Sequence, residues 1–198
     1  MSPETTEICV IGGGPAGAAA AYRLARLGHD VMLIERNVRP RPRMIESLPP
    51  SILRLLEFLD LAGYVEGCLR VRSRGTAIRW DDATPQFRAR GEDNSFLVDR
   101  NRFDEALLTA ASAAGVLILR PAIARRPRAM SDRWEIEVMS HGVGQVIHAV
   151  FLVIASGKSS PLARPQHQLS ASTLALAGRW QHSGLDEPVM FVDVGTDF

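Results

Sequence analysis

Apolar residues in this chain come first in short unbroken runs and only later in alternation. Ile8 to Ile11 and Val31 to Ile34 are uninterrupted and read as strands buried on both faces. Between them Ala16 to Leu27 is a helix of small residues (Ala18, Ala19, Ala20, Ala21, Leu24, Ala25), and Gly28 is placed to end it. Ser47 is a suitable helix cap and Pro49 and Pro50 fit a first turn. Ile52, Leu55, Leu56 and Leu59 follow at helical spacing, which predicts a short amphipathic helix ending near Gly63. From 75 to 98 the pattern changes to alternation (Thr76 to Trp80, Gln86 to Arg88, Ser95 to Val98), predicting antiparallel strands of a second sheet inserted in the first fold. Asp99 or Asn101 caps a further helix carrying Phe103, Leu107, Ala110 and Ala114 on one face, with Gly115 as its stop. Val116 to Leu119 is a buried strand that should join the parallel sheet. Residues 122–154 form a β-meander of Ala122 to Arg128, Trp134 to Val138 and Val146 to Ile154, with turns at Ser131-Asp132 and Gly142 to Gly144.

The joint between the first strand and helix, Gly12-Gly13-Gly14-Pro15-Ala16-Gly17, has the G-x-G-x-x-G spacing of a dinucleotide-binding turn. Gly12 permits the tight turn, Gly14 lets backbone approach a pyrophosphate, and Gly17 lets helix pack on strand. The helix N-terminus then offers N–H groups and a partial positive charge to phosphate, and Pro15 forfeits only an N–H without an intrahelical partner. Alone this spacing is a weak signal, but here it sits inside a complete strand–helix–strand unit. Glu35 ends the second strand 23 positions after Gly12, where a carboxylate accepts hydrogen bonds from adenosine ribose hydroxyls and disfavours a 2′-phosphate. The nucleotide is therefore FAD or NAD rather than NADP. Arg36, beside Glu35, is placed to stack on adenine or pair with the pyrophosphate. Arg36, Arg39, Arg41 and Arg43, interleaved with Pro40 and Pro42, form an extended loop rather than a helix.

Composition narrows the class. The 198 residues are 46% hydrophobic with a net charge of +1, so no nucleic-acid partner is implied. No apolar run reaches the ~18 residues of a bilayer span and no signal-type N-terminus is present, so the expectation is no membrane association and a cytoplasmic location. Cys9 and Cys68 form neither a C-x-x-C pair nor a disulfide framework, which argues against a dithiol flavoprotein. His29, His141, His148, His167 and His182 are scattered without metal-ligand spacing, so no metal is expected. Lys158 is the only lysine.

The glycine turn, Glu35-Arg36, Val98-Asp99-Arg100 leading to Phe103-Asp104 on a helix, and a meander ending in Ala155-Ser156-Gly157 together resemble the FAD-dependent monooxygenase superfamily. Glu46-Ser47-Leu48-Pro49-Pro50, Trp80 and the Arg100 segment are most similar to its flavin-dependent halogenase group. The nearest likeness is to that group's non-halogenating branch, which includes flavoproteins that mature tryptophylquinone cofactors. The resemblance implies an α/β fold: a Rossmann-like FAD-binding domain of the glutathione-reductase type with a β-meander and an inserted antiparallel β-sheet substrate domain. The implied divisions are 1–70 and 99–165 for the FAD-binding domain, 71–98 for the start of the substrate domain, and 166–198 for a truncated return to it. FAD contacts are implied at Gly12, Gly14, Pro15, Ala16, Gly17, Glu35 and Arg36. Arg100 would reach the pyrophosphate or ribityl chain, Ser47 would lie near the flavin ring, Ala124 would offer main chain to adenine, and Gly157 would allow a close turn.

Two departures shape the functional expectation. Halogenases of this kind use a lysine a few tens of residues beyond the Glu-Ser pair, where this chain has Arg70, Arg72, Arg74 and Arg79. Arginine holds its charge in a fork of donors and is a poor substitute for an amine. Ile45 also replaces the glycine usual before that Glu-Ser. The superfamily's Gly-Asp segment and most of its substrate cavity belong to a C-terminal half with no counterpart among these residues, so a missing or separate chain is an expected partner. The expected activity is FAD-dependent hydroxylation of an electron-rich aromatic ring through a flavin C4a-hydroperoxide. O2 is the co-substrate, and NAD(P)H or a separate flavin reductase is the electron source. The substrate is an aromatic small molecule or a polypeptide, with a tryptophan ring in view. The sequence names no catalytic residue. A reductase or dehydrogenase of the geranylgeranyl-reductase type is the alternative enzyme. A nucleotide-binding subunit needing a partner chain is the non-enzymatic alternative.

Overall fold

The computed structural model describes residues 4–38, 45–72, 75–80, 84, 86–89, 96–157 and 189–194. The expected Arg39 to Arg43 loop, Arg74, Lys158, His167 and His182 lie outside them. In chain order the elements begin β1 (Glu4–Ile11), α1 (Pro15–Arg26), β2 (Val31–Ile34), β3 (Ile45–Leu48), α2 (Ile52–Phe58), α3 (Ala62–Val65), β4 (Leu69–Arg72), β5 (Gly75–Trp80) and β6 (Gln86–Ala89). They continue with β7 (Phe96–Asp99), α4 (Arg100–Ala113), β8 (Leu117–Leu119), β9 (Ala122–Ala129), β10 (Trp134–Ser140), β11 (Val143–Ile154) and β12 (Val189–Val194). Two compact units result, one of Met1–Pro42 with Asp104–Leu174, the other of Arg43–Phe103 with Ala175–Phe198.

The first unit is built on a six-stranded sheet of order β8-β2-β1-β11-β10-β9. Strands β8, β2, β1 and β11 run parallel, with Ile8 level with Val31 on one side and Phe151 on the other. Strands β9, β10 and β11 are the expected meander. Its third strand is longer than the alternation predicted. It starts at Val143, just after a turn in which His141 and Gly142 both have positive φ, and its second half joins the parallel ladder against β1. One strand thus serves both sheet types. The unbroken runs behave as a doubly covered sheet requires: Cys9, Val10, Val31, Met32, Leu33 and Ile34 are all buried. Ile136, Val138, Ile147 and Ala149 of the meander join Cys9, Ile11, Met32 and Ile34 in one core cluster. Strand β8 is at the edge of the sheet, and Leu117 is exposed where the apolar run predicted burial.

The second unit departs further from expectation. Residues 75–98 do not form one antiparallel sheet. Strands β5 and β6 pair antiparallel and β12 joins β5 in parallel, whereas β7 lies between β3 and β4 in a separate three-stranded sheet. β3, α2, α3 and β4 belong to the second unit together with β5, β6, β7 and β12. Ser47 does not cap a helix; it is in β3, opposite Leu97. The helix starts only after Ser51, which has helical φ and ψ and makes no side-chain cap. Pro49 and Pro50 instead form a turn whose carbonyls accept the Ile52 and Leu53 N–H groups. Of the expected apolar stripe, Leu56 is buried while Leu55 is exposed. The α4 expectation fares better. The Asp99 carboxylate accepts the N–H groups of Asn101 (3.1 Å) and Arg102 (3.3 Å), and Phe103, Leu107 and Ala110 are buried.

Candidate functional site

The end of β1 turns into α1 through Gly12, whose φ of +110° is closed to most side chains. A Cβ there would come within 2.6 Å of the Ala155 carbonyl oxygen and 2.9 Å of the Ser156 Cα. The Ala155 N–H donates to the Ile11 carbonyl at 2.8 Å, which holds residues 155–157 against the turn. Gly17 is closer still: its Cβ would lie 1.9 Å from the Gly12 carbonyl oxygen. Both glycines are demanded by the fold.

Gly14 is not. It occupies the N-cap of α1 with φ −69° and ψ 178°, extended backbone that any residue adopts, and a Cβ there would meet nothing within 4 Å. No side chain caps α1, and no acidic residue sits in its first turn. The helix begins with Pro15 and Ala16, its first N–H groups without a side-chain acceptor. These groups and the positive end of the helix suit the pyrophosphate of a dinucleotide. Beside them the Ser156 hydroxyl is buried with no hydrogen-bond partner, as expected of a group that completes its bonding with a ligand. The residues present fit a bound dinucleotide.

Glu35 is at the tip of β2, its main chain fixed by the Glu35 N–H to the Leu119 carbonyl (3.0 Å) and the Ala122 N–H to the Glu35 carbonyl (2.8 Å). Its Oε2 accepts the Gly13 N–H at 2.7 Å, tying the carboxylate to the glycine turn. Its Oε1 accepts from Asn37 twice, from the backbone N–H at 2.8 Å and from Nδ2 at 2.7 Å. A carboxylate has about four lone-pair sites, so three bonds leave one for a ribose hydroxyl. Arg36 is exposed on the following loop. Gly157 has φ +64° and open space around it. Ala124, half-buried in β9 opposite Val138, packs against the core cluster.

Ser47 and Arg100 belong to the second unit. Arg100, at the start of α4, forms an ion pair with Glu46, so the two strand-borne motifs Glu46-Ser47 and Asp99-Arg100 meet through the β3–β7 ladder. The first unit therefore collects Gly12, Gly14, Pro15, Ala16, Gly17, Glu35, Arg36, Ala124 and Gly157, and the second collects Ser47 and Arg100. Asn37 and Arg120 were not singled out by the sequence, and Ser156 was read only as part of the Ala155-Ser156-Gly157 segment. Asn37 lies two residues after the acid, within reach of a local reading, whereas the Arg120 contact spans 83 positions and had no local signal. Neither cysteine is a ready nucleophile: both are buried, and burial pushes the Cys9 thiol up to about 12. Among the described residues no three His, Cys, Asp or Glu side chains are grouped to hold a metal, and no helix is long and apolar enough to cross a membrane.

Comparison with known proteins agrees with this geometry. The family described as FAD dependent oxidoreductase matches residues 7–41, from β1 through the glycine turn to just past Glu35. The chain is 33% identical over 168 residues to a tryptophan 2-halogenase of Chondromyces crocatus, covering 81% of this chain and 32% of that protein. It is 39% identical over 119 residues to the flavin-dependent halogenase armH3 of Armillaria mellea, covering 58% of this chain and 24% of the relative. Among solved structures, the myxobacterial chondrochloren halogenase CndH superposes with a TM-score of 0.70 at 29% identity, over 79% of this chain and 38% of that one. The chain thus spans about a third, or less, of the length of these curated relatives. With its parallel-dominated sheet, glycine turn and strand-end acid, the chain has the Rossmann-like FAD-binding fold seen in the flavin-dependent halogenases.

Proposed function

We propose that this chain forms the nucleotide-binding part of an FAD-dependent monooxygenase that hydroxylates an electron-rich aromatic ring, with a tryptophan ring, free or within a polypeptide, as the favoured substrate. The observation that carries the cofactor assignment is Gly14, where the fold makes no demand for glycine and the vacant space lies at the N-terminus of α1. Backbone N–H groups at 16–17 hold the pyrophosphate, Glu35 accepts a ribose hydroxyl, and the Ser156 hydroxyl donates to the bound group. Bound FAD supplies electrons to O2, and NAD(P)H or a separate reductase restores them. The remaining wall of the site and the aromatic pocket come from polypeptide equivalent to the rest of the relatives' length, in the same protein or a partner chain.

Hydroxylation is preferred over halogenation because the stretch from residue 70 to residue 79 offers arginines and no lysine. A guanidinium stays protonated and presents no free amine to carry a halogen. The test is turnover of the protein with FAD, a flavin reductase, NADH, labelled O2 and bromide on tryptophan and on a tryptophan-containing peptide, read by mass spectrometry. The reading predicts one labelled oxygen in the product and no bromine isotope pattern. A brominated product overturns it, and a product reduced by two hydrogens without label assigns the chain to the reductase class.

A further inference from the structure

We propose that Arg120 and Asn37 are positioning residues that aim the Glu35 carboxylate at the adenosine ribose and so set a preference for ribo- over 2′-deoxyribonucleotides; this rests on the FAD reading above. A glutamate at a strand end has three side-chain torsions and would ordinarily sample several rotamers. Here a continuous chain of bonds holds it. The Gly13 N–H and Asn37 grip opposite carboxylate oxygens, at 2.7 Å to Oε2 and at 2.8 and 2.7 Å to Oε1. Asn37 follows β2 and needs an anchor of its own. Its carbonyl accepts the Arg120 Nε–H at 2.7 Å, from the residue directly after β8.

Arg120 is itself fixed. Its Nη1 lies 3.0 Å from both carboxylate oxygens of Glu105 on α4, and its side chain is only 15% exposed although Glu105 is half in solvent. A forked guanidinium serves two acceptors at fixed angles, which a lysine at this position would not reproduce. Four segments distant in sequence therefore converge on one carboxylate: the glycine turn, the loop after β2, the end of β8 and the first half of α4. The bonds from Gly13 and Asn37 leave one acceptor position, and its direction is set by Asn37. None of these contacts reaches phosphate, so their effect is confined to the sugar.

The test is equilibrium binding of ADP and 2′-deoxy-ADP to the 198-residue chain and its variants by calorimetry, with urea midpoints measured alongside. Wild type is expected to prefer ADP by about tenfold, the worth of one charge-assisted hydrogen bond. In Arg120→Ala and in Asn37→Ala that ratio falls toward one, and Arg120→Ala adds no further loss of selectivity to Glu35→Gln, because the three act as one unit. Asn37→Ala removes a loop side chain and remains informative if Arg120→Ala fails to fold. Equal weakening of both nucleotides with the ratio preserved shows that Arg120 only stabilises the fold and overturns the proposal. A wild-type ratio near one overturns the role of Glu35 itself. Failure of wild type to bind either nucleotide overturns the FAD reading, and this proposal with it.

Discussion

Gly12 and Gly17 are demanded by the fold whereas Gly14 is not, and Gly14→Ala tests that difference. At Gly14 the backbone is extended and a methyl group meets nothing within 4 Å. Replacing glycine under those conditions restricts the unfolded chain and is worth about 0.4–1 kcal/mol of added stability. The same methyl occupies the space a pyrophosphate must enter to reach the N–H groups of α1. Displacing the phosphate from one such bond costs about 1.5–3 kcal/mol, so FAD affinity should fall at least about tenfold, and about 100-fold if two bonds are lost. Gly17→Ala is the contrasting change, with its methyl 1.9 Å from a backbone oxygen, and the turn must open by about 1 Å to admit it. Overpacking of that kind costs about 3 kcal/mol or more. Urea denaturation and FAD fluorescence titration of both variants give the two readouts. A Gly14→Ala protein that binds FAD as tightly as wild type would refute the reasoning, as would one that loses stability like Gly17→Ala.

Other expectations follow from single features. Asp99→Ala removes the side-chain cap of α4 and should cost about 1 kcal/mol in denaturant midpoint, with Asp99→Asn recovering most of it. Ile136→Ala and Ile147→Ala, at fully buried facing positions of β10 and β11, should each cost about 2–5 kcal/mol; a loss under 1 kcal/mol would mean the meander core is not packed as described. Burial raises the Cys9 thiol from 9.0 to about 12, so the folded chain keeps a proton that the unfolded chain releases above pH 9. Stability is therefore undiminished below pH 9 and declines between pH 9 and 12, by about 1.4 kcal/mol at pH 10. Cys9→Ala should abolish that part of the alkaline slope, and an unchanged slope would rule Cys9 out as its source.

The sequence was most legible where one physical demand dominates. The runs at 8–11 and 31–34 and the glycines between them allow few structures, because a doubly covered strand, a left-handed glycine and a close helix contact coincide within ten residues. Asp99 was readable for the same local reason. Legibility failed where pairing between distant segments decides. Ser47 looks like a cap beside two prolines, yet β3 gains a ladder with β7, and that long-range gain outweighs local turn chemistry. Alternation at 75–98 predicted strands correctly but not which sheet each would join, since alternation carries no information about partners. The site shows the same limit: Glu35 follows from its spacing to Gly12, while Arg120 enters through a contact no local pattern announces.

The central claim is that the turn at residues 12–17 holds the ADP half of FAD. Its most direct test is titration of the isotope-labelled chain with ADP, following backbone amide resonances. The account predicts saturable shifts concentrated at Gly13, Gly14, Ala16, Gly17, Glu35 and Asn37, displaced competitively by FAD. Shifts located elsewhere, or none at ADP concentrations that saturate other FAD-binding folds, would contradict it.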